Sequence, residues 1–66
     1  MFSGKVVKFD AKKGFGFIED NEGKQYFAFI TSFKNRDEKY IEDNAEVEFE
    51  IAQGLKGPQA VNIILL

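Results

Sequence analysis

Cysteine, histidine and tryptophan are all absent from the 66-residue sequence, and proline occurs only once. Without cysteine or histidine, the chain has no disulfide, no zinc site of the usual kind, no thiol nucleophile and no imidazole base. A phosphate-cradling glycine loop of the P-loop kind is also missing, and no carboxylate is set in an apolar stretch that would tune it for acid–base chemistry. We therefore expect a protein that is not an enzyme and that uses no cofactor, no metal and no small-molecule substrate.

Long apolar runs are absent as well. The longest, residues 63–66, is far too short to span a bilayer, and the N-terminus does not resemble a signal peptide. A chain without cysteine is also compatible with a reducing compartment. These features predict a cytoplasmic protein with no membrane association.

Neither sign of charge dominates the chain, whose formal net charge is −2, but the charges are unevenly distributed. Four lysines fall within the first thirteen residues with only Asp10 among them, whereas residues 37–50 contain seven carboxylates and one lysine. One side of the domain is therefore expected to be basic and another acidic. The alternating glutamates of residues 46–50 favour a solvated strand face over a metal site.

Residues 13–18 read Lys-Gly-Phe-Gly-Phe-Ile, and this is the most distinctive segment of the chain. Because residues i and i+2 of a strand share a face, Phe15 and Phe17 are expected to lie side by side. Glycine is a poor strand residue unless something approaches the backbone closely. Single-stranded nucleic acid is one candidate, since its bases stack on aromatic faces and its phosphates are neutralised by nearby lysines. The alternative is core packing, which is the usual fate of phenylalanine.

Turn residues and period-two patterns predict five strands and no helix, and a chain of this size suffices for one small domain, residues 1–66. The predicted strands are residues 2–10, 15–19, 24–30, 46–51 and 59–66. A turn at residues 20–23, a long connection at 31–44 and a loop at 54–58 separate them, and Phe33, Tyr40 and Ile41 are expected to anchor the long connection. Two groups of strands split by one long connection predict an all-β, five-stranded antiparallel Greek-key barrel of the OB-fold type.

The third predicted strand adds two more aromatic rings to the candidate surface. Phe27 and Phe29 share one of its faces, while Tyr26, Ala28 and Ile30 share the other. If the first face is continuous with the two phenylalanines of the second strand, four rings form one patch. For Phe29, core packing and surface exposure are equally compatible with the pattern.

The last four residues, Ile63 to Leu66, are apolar on both strand faces, whereas a terminal strand beside water normally alternates. Packing against a barrel accounts for one of these faces. The other is compatible with a weak homodimer through the C-terminal strand or with an exposed apolar terminus.

Over its entire length the chain resembles the bacterial cold-shock proteins. The matching motifs are Gly4-Lys5-Val6, residues 13–18, Phe27, Gly57-Pro58-Gln59-Ala60 and Asn62. The resemblance implies a five-stranded barrel that binds single-stranded RNA or DNA, as an RNA chaperone or as a regulator of transcription and translation. The contacts that it implies are Phe15, Phe17 and Phe27 for base stacking, Lys5, Lys13 and Lys56 for phosphates, and Phe9, Pro58 and Gln59 at the edge of the surface.

The chain departs from the family pattern at three places. It has Lys8 where the family usually has a stacking tryptophan, Phe29-Ile30 where the family has histidine and phenylalanine, and Glu38, with Tyr40 nearby, where a further aromatic is common. Phe29 keeps a ring, and Lys8 exchanges stacking for a phosphate contact. Since stacking contributes ~1–3 kcal/mol per base, we expect weaker, more salt-dependent and less base-selective binding than in a typical member. The alternative is a barrel with reduced nucleic-acid binding that serves protein interaction or self-association.

Overall fold

A computed structural model describes residues 1–34, 41–55 and 57–66 of the chain. Its strands are β1 (Phe2–Asp10), β2 (Phe15–Asp20), β3 (Gln25–Phe29), β4 (Glu46–Gly54) and β5 (Gly57–Leu65), and a 3-10 turn lies at Ile30–Ser32. The strands form a closed barrel in the order β1-β2-β3-β5-β4. The ladders are antiparallel except for a short parallel contact between β3 and β5, which closes the barrel. The predicted all-β, five-stranded barrel is confirmed.

The core follows from the period of two along each strand. Val6 lies opposite Ile18, Ile18 lies opposite Tyr26, and all three side chains are buried. The alternation predicted for β4 places Val47 and Phe49 in the core. The buried apolar residues are Val6, Ile18, Tyr26, Ala28, Phe33, Ile41, Val47, Phe49, Ala60 and Ile63.

A bulge in β1 changes which side chains face outwards. Val6 lies opposite Ile18 and Lys8 lies opposite Phe17, so Val7 has no partner of its own on β2. An extra residue of this kind shifts the alternation by one position. As a result Lys8 is exposed on the outer face, and the next residue, Phe9, turns inwards.

A second bulge lies in β5. Glu48 pairs with Ile64, but Glu50 pairs with Val61, so β5 has one residue more than β4 in this stretch. Asn62 adopts a left-handed backbone conformation with φ of 50°, which asparagine tolerates better than most residues. Its Nδ2 donates a hydrogen bond of 2.8 Å to Oε1 of Glu50. The bulge lets both Ala60 and Ile63 reach the core although they are three residues apart.

Two predicted boundaries are wrong. Ile30 was expected to continue the third strand with its side chain in the core, but β3 ends at Phe29 and Ile30 begins the 3-10 turn, with 38% of its surface exposed. Residues 54–58 were expected to form a loop. Instead Gln53 pairs with Pro58 and Gly54 with Gly57, so β4 and β5 continue into this stretch as an antiparallel hairpin.

The long connection is partly as expected. Phe33 and Ile41 are buried, and Phe33 also forms a parallel bridge with Ile63. The expectations for Glu38 and Tyr40 lie outside the described residues.

At the C-terminus, Ile63 is buried, Ile64 and Leu65 are half-buried, and Leu66 is exposed. The homodimer through this strand stays a prediction.

Candidate nucleic-acid interface

The outer face of β1, β2 and β3 carries three rows of side chains, each formed by residues that lie directly opposite one another on adjacent strands. The rows are Asp10–Phe15–Phe29, Lys8–Phe17–Phe27 and Lys5–Glu19–Gln25. Two of the three rows therefore contribute a pair of phenylalanines. The four rings form the aromatic patch: Phe15, Phe17, Phe27 and Phe29.

Phe27 lies at the centre of the aromatic patch. Its ring is stacked on that of Phe15, with centroids 5.2 Å apart and an interplanar angle of 15°. It meets Phe17 edge-on at 5.4 Å and Phe29 at 4.8 Å. Phe15 and Phe27 are half-buried, while Phe17 and Phe29 expose 39% and 37% of their surface. The predicted four-ring surface is present, and Phe29 belongs to it.

Gly16 explains how β1 and β2 support the patch. The residue is buried, and a Cβ at this position would collide with the carbonyl oxygen of Lys8 and with Phe9. The close approach that a strand glycine suggests is therefore made by β1. The other glycine of the motif, Gly14, precedes β2, where its φ of 79° suits a turn.

Two lysines border the patch. Lys8 and Lys13 line a shallow pocket of about 220 Å³ whose other walls are Asp10, Phe15, Gly16 and Phe17. Asp10 organises this corner, because its Oδ1 accepts hydrogen bonds from the backbone N–H groups of Lys12 at 3.0 Å and of Lys13 at 3.2 Å. A carboxylate engaged in this way fixes the start of the turn that presents Lys13.

Lys5 lies in a different electrostatic setting. It is directly opposite Glu19 on β2 and directly opposite Glu46 on β4, so a carboxylate flanks it on each side. A positive charge attracts an approaching phosphate only where it outweighs the negative charges beside it. The end of the outer face that carries Lys5 is therefore less attractive to a polyanion than the end with Lys8 and Lys13.

The remaining predicted contacts lie around the edge. Gln59 on β5 is directly opposite Phe27, and Pro58 precedes it, both half-buried. Phe9 is also half-buried, and its ring packs edge-on against that of Phe33 at 5.4 Å, at the margin of the core. Lys56 lies outside the described residues.

The β2–β3 hairpin contains a polar network that the sequence did not reveal. Oδ1 of Asp20 accepts hydrogen bonds from the backbone N–H groups of Glu22 and Lys24, each at 2.9 Å, and Oδ2 accepts one from the Tyr26 hydroxyl at 2.9 Å. The bond from the Lys24 backbone is the largest cause that lowers the pKa of Asp20, and the Tyr26 and Glu22 bonds act in the same direction. Burial, and then the bond to Asp20, raises the pKa of Tyr26.

This network fixes the register of the hairpin, and hence the position of Phe17 opposite Phe27. An aspartate at the start of a predicted turn is a signal for the backbone bonds. The partnership with Tyr26 depends on side chains on opposite strands and has no such local signal. Lys24 Nζ lies 5.7 Å from the Tyr26 ring centroid, on this side of the hairpin.

A closed five-stranded barrel with aromatic side chains on one outer face is the architecture of the small OB-type barrels. A sequence model of the 'Cold-shock' DNA-binding domain matches residues 2–66, and the chain belongs to this family. The family consists of nucleic-acid-binding proteins rather than enzymes. Membership therefore indicates nucleic-acid binding in general.

Curated relatives match along their whole length. The chain is 44% identical to the cold shock protein CspB of Bacillus caldolyticus over 66 residues, which cover 100% of both chains. It is equally 44% identical to the cold shock protein CspD of Bacillus subtilis, again over 66 residues and 100% of both.

Among solved structures, Drosophila Unr CSD456 superposes with a TM-score of 0.82 and 29% identity. The match covers 98% of this chain but only 26% of that one. Within residues 1–34, 41–55 and 57–66, no helix has the length and apolarity that a membrane span requires.

Proposed function

We propose that this protein binds single-stranded RNA or DNA non-covalently, with bases stacked on the aromatic patch and backbone phosphates held by Lys8 and Lys13. The observation that carries the proposal is the contact of four phenylalanine rings on the outside of a barrel that already has a separate buried core. A contiguous exposed apolar surface on a small protein usually marks an interaction site. Flat rings beside lysines suit single-stranded nucleic acid, whose bases and phosphates alternate along the chain.

The substitution of Lys8 for a stacking tryptophan changes the expected balance of forces. Lys8 lies directly opposite Phe17, so a cation stands at the end of the middle row where a further ring would extend the stacking surface. One stack fewer lowers affinity by ~1–3 kcal/mol, while each phosphate contact adds a dependence on salt. Binding is therefore weaker and more salt-dependent than in a typical family member, and the aromatic patch alone makes it tolerant of base identity.

An RNA-chaperone role follows from this mode of binding. Side chains that capture unpaired bases stabilise the open strand relative to the hairpin, without discriminating strongly between sequences. Binding of this kind needs no cofactor, because it is reversible and forms no covalent bond.

An NMR titration with a short oligothymidine tests the proposal directly. We expect the amides of the aromatic patch and of Lys8 and Lys13 to shift together, and the shifts to weaken as salt rises. The logarithm of the association constant should fall with the logarithm of salt concentration with a slope of ~0.7 per phosphate contacted. No binding at low salt, or shifts confined to β5, would favour the alternative of a protein-interaction or self-association module.

A further inference from the structure

The outer face of β4 and β5 combines carboxylates with aliphatic side chains. The strand order places these two strands across the barrel from β2, which carries half of the aromatic patch. Val47 and Phe49 point into the core, so the glutamates that alternate with them point outwards. On β5, the residues directly opposite two of these glutamates are aliphatic and half-buried. Together these side chains form the acidic face: Glu46, Glu48, Glu50, Val61 and Ile64.

Glu48 lies at the centre of the acidic face. Its neighbours across the strands are Ser3 of β1 and Ile64 of β5, neither of which carries a charge. Two residues further along β4, the carboxylate of Glu50 accepts the 2.8 Å hydrogen bond from Asn62, which holds it against β5. The centre of the face therefore presents two carboxylates beside apolar surface, and one of them is fixed in position.

Two lysines border the acidic face. Lys5 is directly opposite Glu46, and the backbone N–H of Lys34 donates a 2.7 Å hydrogen bond to the carbonyl of Ile63, on the side of β5 away from β4. Each lysine offsets part of the negative charge at one margin and leaves the centre negative. A partner whose charge is complementary to this centre carries cations next to apolar groups.

The lysine side of the aromatic patch has this complementary chemistry. Lys8 and Lys13 line the shallow pocket together with Phe15 and Phe17, so cations adjoin rings that are partly exposed. The chain thus presents a cationic, apolar surface on one side and an anionic, apolar surface on the other. Two acidic faces brought together would instead oppose carboxylates, and like charges across an interface are unfavourable. The favoured occupant is a second copy of this chain in head-to-tail orientation.

The size of the barrel limits the strength of such a contact. Its extents are 26 × 23 × 18 Å, so its broadest side covers roughly 600 Å². One contact therefore buries about 1,200 Å² from both copies together, which is the lower end of the range for stable complexes. We expect a dissociation constant on the order of 0.1–1 mM, so that the contact forms only at high protein concentration.

We propose that the acidic face is a docking site for the lysine side of the aromatic patch of a second copy, so that self-association and nucleic-acid binding exclude each other. The competition rests on the proposed function, since both ligands need Lys8 and Lys13, whereas the contact itself does not. Carboxylates of the second copy occupy the place that phosphates take in the complex with nucleic acid. Concentrated protein is therefore autoinhibited, and a single strand releases it.

The contact is tested first without nucleic acid, by NMR of isotope-labelled wild type diluted from about 1 mM to about 0.02 mM at ~10 mM salt, where the screening length is ~30 Å. We expect the amides of Lys8 and Lys13 to shift together with those of Glu48, Val61 and Ile64, with one dissociation constant. Salt at ~1 M, with a screening length of ~3 Å, should abolish these shifts. Shifts at only one of the two surfaces, or none at all, would overturn the proposal.

Charge reversal distinguishes the head-to-tail contact from a back-to-back dimer. Glu48→Lys should weaken self-association by about tenfold or more, and so should Lys8→Glu, because each places like charges across the contact. An equimolar mixture of these two variants should associate again, since the lysine side of one still meets the acidic face of the other. Glu22→Lys makes the same charge change in the β2–β3 turn and should stay within about twofold of wild type.

Unchanged self-association of Lys8→Glu, or no recovery in the mixture, would show that the two surfaces do not meet. Should Glu48→Lys fail to fold, Glu48→Gln, which removes the charge without reversing it, should still weaken self-association by about threefold.

Oligothymidine then tests the competition. Saturating oligonucleotide should remove the concentration-dependent shifts of the acidic face, because phosphates occupy the lysines that the second copy needs. Glu22→Lys and Glu48→Lys have the same net charge, so they should bind the oligonucleotide alike when dilute, whereas at high protein concentration Glu22→Lys should bind it more weakly. Shifts of the acidic face that persist at saturation would refute the competition. If the wild type bound no oligonucleotide, the competition would fall with the proposed function, while the contact would be decided by the dilution experiment.

Discussion

Replacement of Phe27 by alanine is the most informative perturbation of the candidate interface. The ring of Phe27 contacts all three other rings of the aromatic patch, at centroid distances of 5.2, 5.4 and 4.8 Å. Its removal deletes a stacking face and also withdraws the support that orients Phe15, Phe17 and Phe29. The structure therefore predicts a larger effect on binding here than at any single ring on the margin of the patch.

The expected magnitude follows from two contributions. Loss of one base stack costs ~1–3 kcal/mol, which corresponds to roughly 5- to 140-fold weaker binding. Aromatic pairs are worth ~0.5–1.5 kcal/mol each beyond the area they bury, so loss of the three ring contacts also lowers the free energy of unfolding by ~1.5–4.5 kcal/mol. Phe29→Ala removes one stack and the single ring contact to Phe27. It should stay within the lower half of the same range.

The assay is fluorescence anisotropy with a labelled oligothymidine at fixed low salt, because the protein has no tryptophan whose quenching could report binding. Thermal denaturation followed by circular dichroism measures the stability of each variant in parallel. Phe2→Ala is the matched control. Phe2 is 51% exposed but lies outside the aromatic patch, with its ring 6.0 Å from that of Phe49.

Affinity of folded Phe27→Ala within twofold of wild type would refute the reasoning. So would an equal loss of affinity in Phe2→Ala, since the effect would then not belong to the patch. Phe27→Leu separates stacking from bulk: it keeps an apolar side chain and should retain more stability than alanine, yet it should lose most of the affinity.

Three further predictions concern charge, pH and packing. Lys13→Gln should reduce the slope of the logarithm of the association constant against the logarithm of salt concentration by ~0.7. Lys5→Gln should change this slope less, because Glu19 and Glu46 flank Lys5, and a larger effect at Lys5 would contradict this assignment. The pKa of Asp20 is lower in the folded chain than in the unfolded one, so its stabilisation is complete above the ordinary aspartate pKa and is lost as pH falls through the folded pKa. Asp20→Asn should therefore flatten the acid limb of a stability–pH curve from chemical denaturation, and an unchanged acid limb would exclude this role. Gly16→Ala should lower the free energy of unfolding by ~1–3 kcal/mol, since its Cβ would collide with the backbone of β1; thermal stability equal to wild type would argue against that packing.

The other functional expectations remain predictions. They comprise the cytoplasmic location, the RNA-chaperone role, the choice between RNA and DNA and the weak homodimer. Analytical ultracentrifugation over a range of protein concentrations addresses the last of these, with Leu66→Glu as the variant that should abolish any self-association through the exposed terminus.

Much of the candidate site could be predicted because it depends on local periodicity. Phe15 and Phe17 share a face because they are two residues apart in a strand, and the same holds for Phe27 and Phe29. The register between the two strands was not predicted. The expected turn at residues 20–23 would place residue 19 opposite residue 24, whereas Glu19 lies opposite Gln25, because β2 continues to Asp20 and the backbone N–H of Asp20 donates to the carbonyl of Lys24.

Ile30 shows where such reasoning fails. Its position in the alternation of the third strand predicts an inward side chain, but the strand ends one residue earlier. The backbone N–H of Ile30 instead donates a 2.8 Å hydrogen bond to the carbonyl of Gly14, a residue from another part of the chain. The end of a strand thus depends on a partner that the local sequence does not identify.

The sequence by itself determined the five strands, the two pairs of phenylalanines that each share a strand face, and the lack of cysteine and histidine, because these are properties of short segments or of composition. The joining of the two pairs into one patch required the register between β2 and β3. Only the tertiary structure decided the roles of the side chains around the patch. The bulge at Val7 turns Lys8 towards Phe17, the pairing of β1 with β4 places Glu46 beside Lys5, and the end of the β4–β5 hairpin sets Gln59 across Gly54. Each depends on which strands meet and in which register, and barrel closure brings together residues that are distant in sequence.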